Sequence, residues 1–183
     1  MRIIDGEAGG LPLTPPPTGV RPTMDRVRAA IFSSLGDAVP GARVLDLFCG
    51  SGAMGIEALS RGAASAVFVD LNPRSVACTK DNLRRAKLLG SVQTMDALKF
   101  LELYAAENFD LIFADPPYTK DADDRDFAAE LLASPHLVNA LAPHGTFVLE
   151  RMPVKVEPEP CLLAQMRMRR YGASEIAYYT HRA

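Results

Sequence analysis

The chain has 183 residues, 48% of them hydrophobic, and its 20 Lys and Arg against 22 Asp and Glu give a formal net charge of −2. This length suits one well-buried α/β core and not two ordinary domains, and the charge excludes a molecule-wide positive field for nucleic acid. Three Cys and three His at irregular spacing argue against a disulfide framework and a metal site. Without a signal peptide or a membrane-length apolar stretch, we expect a cytoplasmic monomer that uses no membrane and no metal.

The first 40 residues are predicted to form an extension in front of the main fold. Two short apolar runs, residues 2–4 and 11–13, predict a hairpin that turns through a glycine-rich segment. A helix is predicted over residues 23–35, because apolar side chains recur four residues apart. The side of this helix opposite the apolar face is expected to carry Arg26 and Arg28.

From residue 43 onward, apolar strand-like runs alternate with helical segments. Strands are predicted over residues 43–48, 65–70, 91–95, 109–114 and 145–150. Helices are predicted over residues 53–61, 74–87, 97–104 and 125–141. The last helix should be divided in two, with Ser134 as an N-cap and Pro135 in the first turn of the second piece. This alternation predicts an α/β fold with a doubly wound, mostly parallel sheet and right-handed crossovers.

The first predicted strand leads into a glycine turn with the spacing Asp46-x-x-x-Gly50-x-Gly52-x-x-Gly55. Glycines allow a sharp turn and let a ligand approach bare backbone. The spacing contains the Gly-x-Gly-x-x-Gly of dinucleotide sites, but a carboxylate at Asp46 would repel a pyrophosphate. S-adenosylmethionine carries an ammonium and a sulfonium and no phosphate, so the pattern favours this methyl donor over NAD. A tight strand-to-helix turn without a ligand is the alternative interpretation.

Two further acids follow the next two predicted strands. Asp70 ends the second strand about 20 residues after the glycines, the position that contacts ribose hydroxyls in doubly wound sheets. An acid ending a strand before a turn is the alternative for Asp70. Asp96 follows the third strand, where a polar side chain could reach an adenine amino group. For Asp96 a simple helix N-cap is an equally good interpretation.

The fourth predicted strand ends in Asp115-Pro116-Pro117-Tyr118. In open α/β sheets this is the edge that binds ligands, and two consecutive prolines make the turn stiff. Asp115 could accept a hydrogen bond from an exocyclic amine while Tyr118 stacks on its ring. The residues of this turn are therefore the catalytic candidates, and the alternative is a proline turn with an ordinary capping Asp.

Together, Asp46-x-Phe48-x-Gly50-x-Gly52 and Asp115-Pro-Pro-Tyr118 resemble the class I S-adenosylmethionine-dependent methyltransferases that act on exocyclic amino nitrogens. More narrowly, the chain resembles the bacterial RsmD family, which methylates the N2 amino group of a guanine in small-subunit ribosomal RNA. The segments that carry this narrower resemblance are Met1-Arg-Ile-Ile4, Arg21-Pro-Thr-x-Asp-Arg-Val-Arg28, Leu45-Asp-Leu-Phe-x-Gly-Ser-Gly-Ala53, Glu57-Ala-Leu-Ser-Arg-Gly-Ala63 and Arg170-Tyr-Gly172. One departure is the opening hairpin, which lacks the several Lys and Arg usual in the family.

The resemblance implies a Rossmann-like class I methyltransferase with a seven-stranded sheet, in which residues 161–171 and 175–180 form two antiparallel strands at one edge. It also implies a single methyltransferase domain over residues 1–183, with an N-terminal hairpin and helix extension at 1–40 and a catalytic core at 41–183. The expected residues for binding S-adenosylmethionine are Asp46, Phe48, Gly50, Gly52, Asp70 and Asp96. The expected RNA contacts are Arg21, Arg26, Arg28 and Arg170.

The expected partner is small-subunit ribosomal RNA held within a ribosomal particle, because few arginines are available for phosphate contacts. Two other classes of function remain open at this point. The same turn would suit an adenine N6 amine of DNA or RNA, or another amine such as a protein glutamine amide, although the glutamine enzymes open the turn with Asn. A non-catalytic RNA-binding module with the same fold is the third possibility.

Overall fold

The computed structural model describes residues 1–15, 25–104, 106, 108–118 and 125–182. Arg21 and the predicted start of the first helix lie outside the described residues. The chain divides into two compact units, Met1–Ala97 and Leu98–Ala183.

The described elements alternate in the order that the hydrophobic pattern predicts. The helices are α1 (Asp25–Leu35), α2 (Ala53–Ser60), α3 (Pro73–Ala86), α4 (Ala97–Tyr104), α5 (Phe127–Leu132) and α6 (Pro135–Ala140). The strands are β1 (Arg43–Leu47), β2 (Ser65–Asp70), β3 (Ser91–Thr94), β4 (Phe109–Ala114), β5 (Leu141–Arg151), β6 (Ala164–Tyr171) and β7 (Ser174–Thr180). The strand order is β3-β2-β1-β4-β5-β7-β6. The predicted fold class, a doubly wound and mostly parallel seven-stranded sheet, is confirmed.

The first unit is built on the parallel strands β1, β2 and β3. Four of the five residues of β1 are buried, as expected for a strand covered on both faces. α3 begins at Pro73, where the Asn72 side chain accepts a hydrogen bond from the Arg74 N–H, and it ends at Lys87 in the left-handed conformation. Because β1 and β2 are parallel and in register, their carboxyl ends lie at one edge, and the glycine turn starts from that edge.

In the second unit β4 is parallel to β5, and β7 and β6 add antiparallel strands. Ser134 caps α6 by accepting from the Leu137 N–H at 3.4 Å, so the predicted division of the last helix is confirmed. The predicted start of the fifth strand, at residue 145, is wrong. Leu141 already pairs with Phe109, and the next pair is Leu111 with Thr146, so the extra residues at this irregularity lie on β5. Helix α6 accordingly ends at Ala140.

A buried ion-pair network joins β5 to β7 in this unit. The Arg151 guanidinium donates from Nε to Glu175 Oε1 at 2.8 Å and from Nη1 to Glu157 Oε2 at 3.0 Å. The Tyr179 hydroxyl donates to the same Glu157 oxygen at 3.0 Å. Arg151 and Glu175 are 3% and 1% exposed. This desolvated pair fixes the antiparallel register at the edge where β5 ends.

The N-terminal hairpin is anchored on α2 by a buried carboxylate. An antiparallel bridge joins Arg2 to Pro12 and confirms the hairpin. Glu57 accepts from the Ile4 N–H at 2.7 Å and from the Asp5 N–H at 3.1 Å, and its side chain is fully buried. The Glu57 carboxylate is thus the hydrogen-bond acceptor for the backbone N–H groups of Ile4 and Asp5.

Arg28 completes this anchor, and its predicted position on the solvent side of α1 is wrong. The side chain is 0% exposed, its Nε lies 3.6 Å from Glu57 Oε2, and it donates to the Arg2 carbonyl. The buried stripe of α1 is wider than the four-residue spacing suggested, because Arg28 is accommodated there by its pairing with Glu57. A fully buried guanidinium is not available to RNA, so Arg28 is withdrawn as an RNA contact.

No helix within the described ranges has both the length and the apolar composition that crossing a membrane requires.

We expect Glu57→Ala to lower the free energy of unfolding by about 3–5 kcal/mol, because it removes the buried carboxylate that faces Arg28 and Arg61 and leaves the buried Arg28 with only the half-buried Asp25 as a partner. Denaturant unfolding at neutral pH measures the change. Glu102→Ala is the matched control, because it removes only an exposed i,i+3 pair with Lys99, which water screens, and should change stability little. Equal losses in the two variants would contradict the anchoring role of Glu57.

Candidate functional site

The turn after β1 adopts an unusual backbone conformation. Phe48, Gly50 and Gly52 have φ values of 57°, 55° and 76°, all in the left-handed region. For a bulky residue such as Phe48 this conformation costs about 1–2 kcal/mol. Such strain persists only where surrounding contacts impose it, and it concentrates at ligand-binding sites. The strained residue lies in the turn for which the sequence predicts ligand binding.

Hydrogen bonds from two neighbouring elements hold this turn. The Gly50 N–H donates to Asp70 Oδ2 at 2.9 Å, at the end of β2. From α3, Thr79 Oγ1 donates to the Gly50 carbonyl at 3.1 Å and Asn82 Nδ2 donates to the Ser51 carbonyl at 3.0 Å. The sequence analysis missed Thr79 and Asn82. The available signal was two polar side chains three apart on the buried face of an amphipathic helix.

Two glycines of the turn also allow close packing against the rest of the first unit. A Cβ added at Gly52 would lie 2.7 Å from Thr79 Cγ2. A Cβ at Gly55 would lie 2.4 Å from Phe68 Cε1, so α2 approaches β2 only because Gly55 has no side chain. The glycine spacing therefore has a packing cause in addition to the predicted access for a ligand.

Asp46 is a buried carboxylate near the end of β1, just before the glycine turn. It is 3% exposed, and its Oδ2 accepts from the Gly55 N–H at 2.9 Å. Among the described residues no Lys, Arg or His pairs with it. Burial, together with the charge of Asp70, raises the pKa of Asp46 to about 8. A cationic ligand group is what this carboxylate lacks, and such a group would favour its ionised form.

Asp70 keeps hydrogen-bonding capacity for a ligand while it supports the turn. Its Oδ1 accepts from the Asn72 N–H at 2.8 Å and its Oδ2 from Gly50. A carboxylate offers about four lone-pair sites, so acceptor positions remain for hydroxyl donors. Asp96 is half-buried between β3 and α4. The carboxylate oxygens of Asp46 and Asp70 accept hydrogen bonds, so they fit a ligand that carries a cation and hydroxyl groups and no phosphate.

In the second unit, β4 ends directly in the predicted catalytic turn. Asp115 is half-buried, Pro116 is buried and Pro117 is exposed. The Tyr118 hydroxyl donates to Glu150 Oε1 at 3.4 Å, and its side chain is also hydrogen-bonded to Ser174. Tyr118 is 39% exposed, so part of its ring is open for stacking while the hydroxyl is anchored. Burial and the negative charge of Glu150 raise the pKa of Tyr118 to about 12, which keeps the phenol neutral.

The predicted RNA contacts differ in their accessibility. Arg26 is exposed on α1 and Arg170 is exposed on β6, whereas Arg28 is buried and Arg21 lies outside the described residues. Within the described part of the chain, no cluster of three or more His, Cys, Asp or Glu side chains is arranged to hold a metal ion.

Comparison with known proteins identifies relatives along nearly the whole chain. The family model described as "Conserved hypothetical protein 95" matches residues 1–180. "Putative rRNA methyltransferase YlbH" of Bacillus subtilis is 42% identical over 123 residues, which cover 64% of this chain and 67% of that protein. "Ribosomal RNA small subunit methyltransferase D" of Escherichia coli is 37% identical over 122 residues, 66% of this chain. The match spans about three fifths of the length of the E. coli relative, 61%.

A solved structure shows the same fold over the full length. "Putative methyltransferase yhhF from Escherichia coli" superposes with a TM-score of 0.79 at 29% identity, covering 100% of this chain and 98% of that one. The predicted Rossmann-like methyltransferase architecture is therefore confirmed.

The raised pKa of Asp46 predicts how the free energy of unfolding depends on pH. The folded state holds the Asp46 proton up to about pH 8, whereas the unfolded chain releases it near its ordinary value of 3.8. Between these values the folded state binds more protons, so Asp46 makes the free energy of unfolding fall as pH rises. Asp46→Asn should therefore gain stability relative to the wild type by roughly 1.4 kcal/mol per pH unit between about pH 5 and about pH 7.

Urea unfolding of the ligand-free protein at several pH values measures this difference. Asp37→Asn is the control, because it makes the same chemical change at an exposed carboxylate. A stability difference between Asp46→Asn and the wild type that does not change with pH would show that Asp46 is ionised in the folded protein.

Proposed function

The chain belongs to the RsmD family, described as Conserved hypothetical protein 95, and we propose that it transfers a methyl group from S-adenosylmethionine to the N2 amine of a guanine in small-subunit ribosomal RNA. The observation that carries this proposal is the glycine turn, whose loop is held by Asp70 and whose buried Asp46 pairs with no basic residue in the described part of the chain. Residues 1–183 act as one methyltransferase domain, with residues 1–40 as its extension and 41–183 as its core.

The first unit binds the methyl donor. Asp46 accepts the ammonium of S-adenosylmethionine, and the ion pair offsets the cost of burying the carboxylate. Asp70 accepts hydrogen bonds from ribose hydroxyls, and Asp96 accepts one from the adenine amine. Phe48, Gly50 and Gly52 shape the loop around the ligand. When bound, the donor supplies an electrophilic methyl group on its sulfonium.

The turn after β4 positions the acceptor. Asp115 accepts a hydrogen bond from the exocyclic amine, and Tyr118 stacks on the base with its hydroxyl fixed by Glu150. Pro116 and Pro117 keep the two side chains in place, because their φ angles are fixed. The lone pair of an exocyclic amine is delocalised into the ring, so orientation is the main contribution available, and it is worth roughly 7–11 kcal/mol.

The RNA must present the target base outside a helix, because stacking and pairing bury the amine edge. The net charge of −2 provides no general attraction to RNA, and the opening hairpin of this chain contributes few basic residues. Binding therefore depends on a limited number of arginines, among them the exposed Arg26, and on a target whose shape ribosomal proteins already hold. A cytoplasmic monomer acting on small-subunit particles is consistent with these requirements.

The reaction is tested on small-subunit particles from a strain that lacks the gene. The purified protein and labelled S-adenosylmethionine should produce N2-methylguanosine, identified by mass spectrometry, without added metal. Protein-free small-subunit RNA at the same salt concentration should be methylated much less efficiently. Label on adenine N6 would assign the alternative amine, and absence of transfer to either substrate would favour a non-catalytic RNA-binding module. Equal efficiency on both substrates would contradict the dependence on the particle.

Two substitutions should separate donor binding from acceptor positioning. Asp70→Ala should weaken S-adenosylmethionine binding by about 1.5–3 kcal/mol, the scale of a hydrogen bond to a charged group. Asp115→Ala should leave that affinity within about twofold and remove most turnover at saturating RNA, because Asp115 contacts only the acceptor. Calorimetry measures the affinity and methyl transfer measures the turnover. Normal donor affinity in Asp70→Ala would exclude Asp70 from the site, and normal turnover in Asp115→Ala would exclude the role of the turn.

A further inference from the structure

The edge strand β6 carries a basic row that begins beside the acceptor turn. Arg167, Arg169 and Tyr171 alternate along β6, and alternate residues of a strand lie on one face of the sheet. Arg169 is exposed, and it forms no ion pair with any residue in the described ranges. Arg167 lies over the Tyr178 ring, 4.2 Å from its centroid. The edge strand β6 therefore presents a row of positive charge, and one of its arginines packs on an aromatic ring of β7.

The register of the sheet relates this row to the acceptor turn. Arg169 lies opposite Ile176 of β7, and Ile176 lies opposite Glu150 of β5. Directly opposed residues share a face, so Arg169 is on the same face as Glu150, which holds the Tyr118 hydroxyl. Two strand spacings separate the Cα atoms of Arg169 and Glu150, roughly 10 Å.

A second contact fixes the same relationship at the β6–β7 turn. The Tyr118 side chain is hydrogen-bonded to Ser174, and Ser174 is the direct partner of Tyr171. Ser174 and Ile176 are two residues apart on β7, so both lie on the face that carries Arg169. The acceptor turn is thus anchored one strand away from the Arg169–Tyr171 end of β6.

Arg170, the neighbour of Arg169, lies on the other face. Its partner is Glu175, whose own partner is Arg151, so Arg170 shares the face of the buried ion-pair network. Adjacent arginines of β6 consequently differ in their relation to the acceptor turn, although both are exposed.

We propose that Arg167 and Arg169 bind the phosphates of the RNA strand that flanks the target guanine, and that Tyr171 packs against a neighbouring base. This inference rests on the proposed function, and it replaces Arg170 with Arg169 as the RNA contact of β6. The planar guanidinium group can donate two parallel hydrogen bonds to a phosphate. The row also lies on the same face of the sheet as Glu150, which holds the Tyr118 of the acceptor turn. A second copy of the chain fits less well, because edge-to-edge pairing of β6 would bring rows of arginines together.

The matched pair Arg169→Gln and Arg170→Gln tests the face assignment. Both variants remove one positive charge from adjacent exposed positions of the same strand. Arg169→Gln should raise the KM for small-subunit particles roughly tenfold, with kcat and donor affinity unchanged. It should also reduce the slope of log affinity against log salt by about 0.7–0.9, the value for one phosphate contact. Arg170→Gln should change KM less than about twofold, and Arg169→Lys should recover part of the loss.

The outcomes separate this inference from the proposed function. If the wild type methylates guanine and the two Gln variants have equal KM values, the face assignment is wrong while the function stands. If RNA binding depends on Arg169 but the methylated product is not N2-methylguanosine, the RNA surface stands and the proposed reaction fails. If the wild type neither binds nor methylates RNA, both are overturned.

Discussion

The binding turn depends on the hydrogen bond between the Gly50 N–H and the Asp70 carboxylate, 2.9 Å long. It joins the loop after β1 to the end of β2, so two adjacent strand ends present their polar groups together. Gly50 and Gly52 adopt the left-handed conformation without strain, whereas the left-handed Phe48 is a conformation that an isolated peptide would rarely adopt. In the proposed function Asp70 would therefore have two roles, because the carboxylate that supports the loop would also accept hydrogen bonds from the methyl donor.

Burial of the Asp46 carboxylate carries a free-energy cost that no basic residue in the described part of the chain offsets. A buried carboxylate without a basic partner is unfavourable, and the raised pKa expresses that cost in the free protein. Under the proposed function, the ammonium of the methyl donor would offset this cost on binding, and the site would favour a cationic ligand. The buried Glu57 and Arg151 contrast with Asp46, because each has its opposite charge within the protein. The clusters around Glu57 and Arg151 are structural, and under the proposed function Asp46 would receive its opposite charge from the ligand.

The parts of the fold and site that could be predicted from sequence are local in sequence. The strands, the glycine turn and the Asp115–Tyr118 turn follow from hydrophobic runs and from residues directly after them, because the carboxyl ends of parallel strands meet at one edge. Arg28 was misplaced because the spacing of apolar residues does not reveal a charge that is buried by pairing with Glu57. Two polar side chains on the buried face of α3 signalled that Thr79 and Asn82 have partners, but not which ones, because the partners are backbone carbonyls about 30 residues away. The start of β5 depended on pairing with β4, which local pattern does not encode.

The arginines illustrate the limit of composition as a guide to nucleic-acid binding. The chain has a net charge of −2, and a count of charges cannot distinguish Arg28 in a buried anchor from Arg169 on an exposed edge. Strand alternation separates Arg169 from Arg170, although the two are adjacent in the same basic run. Under the proposed function, RNA binding would depend on the placement of a few guanidinium groups relative to the acceptor turn, not on the net charge. A weakly charged protein can still direct RNA to one base if those groups share a face with the residue that holds the base.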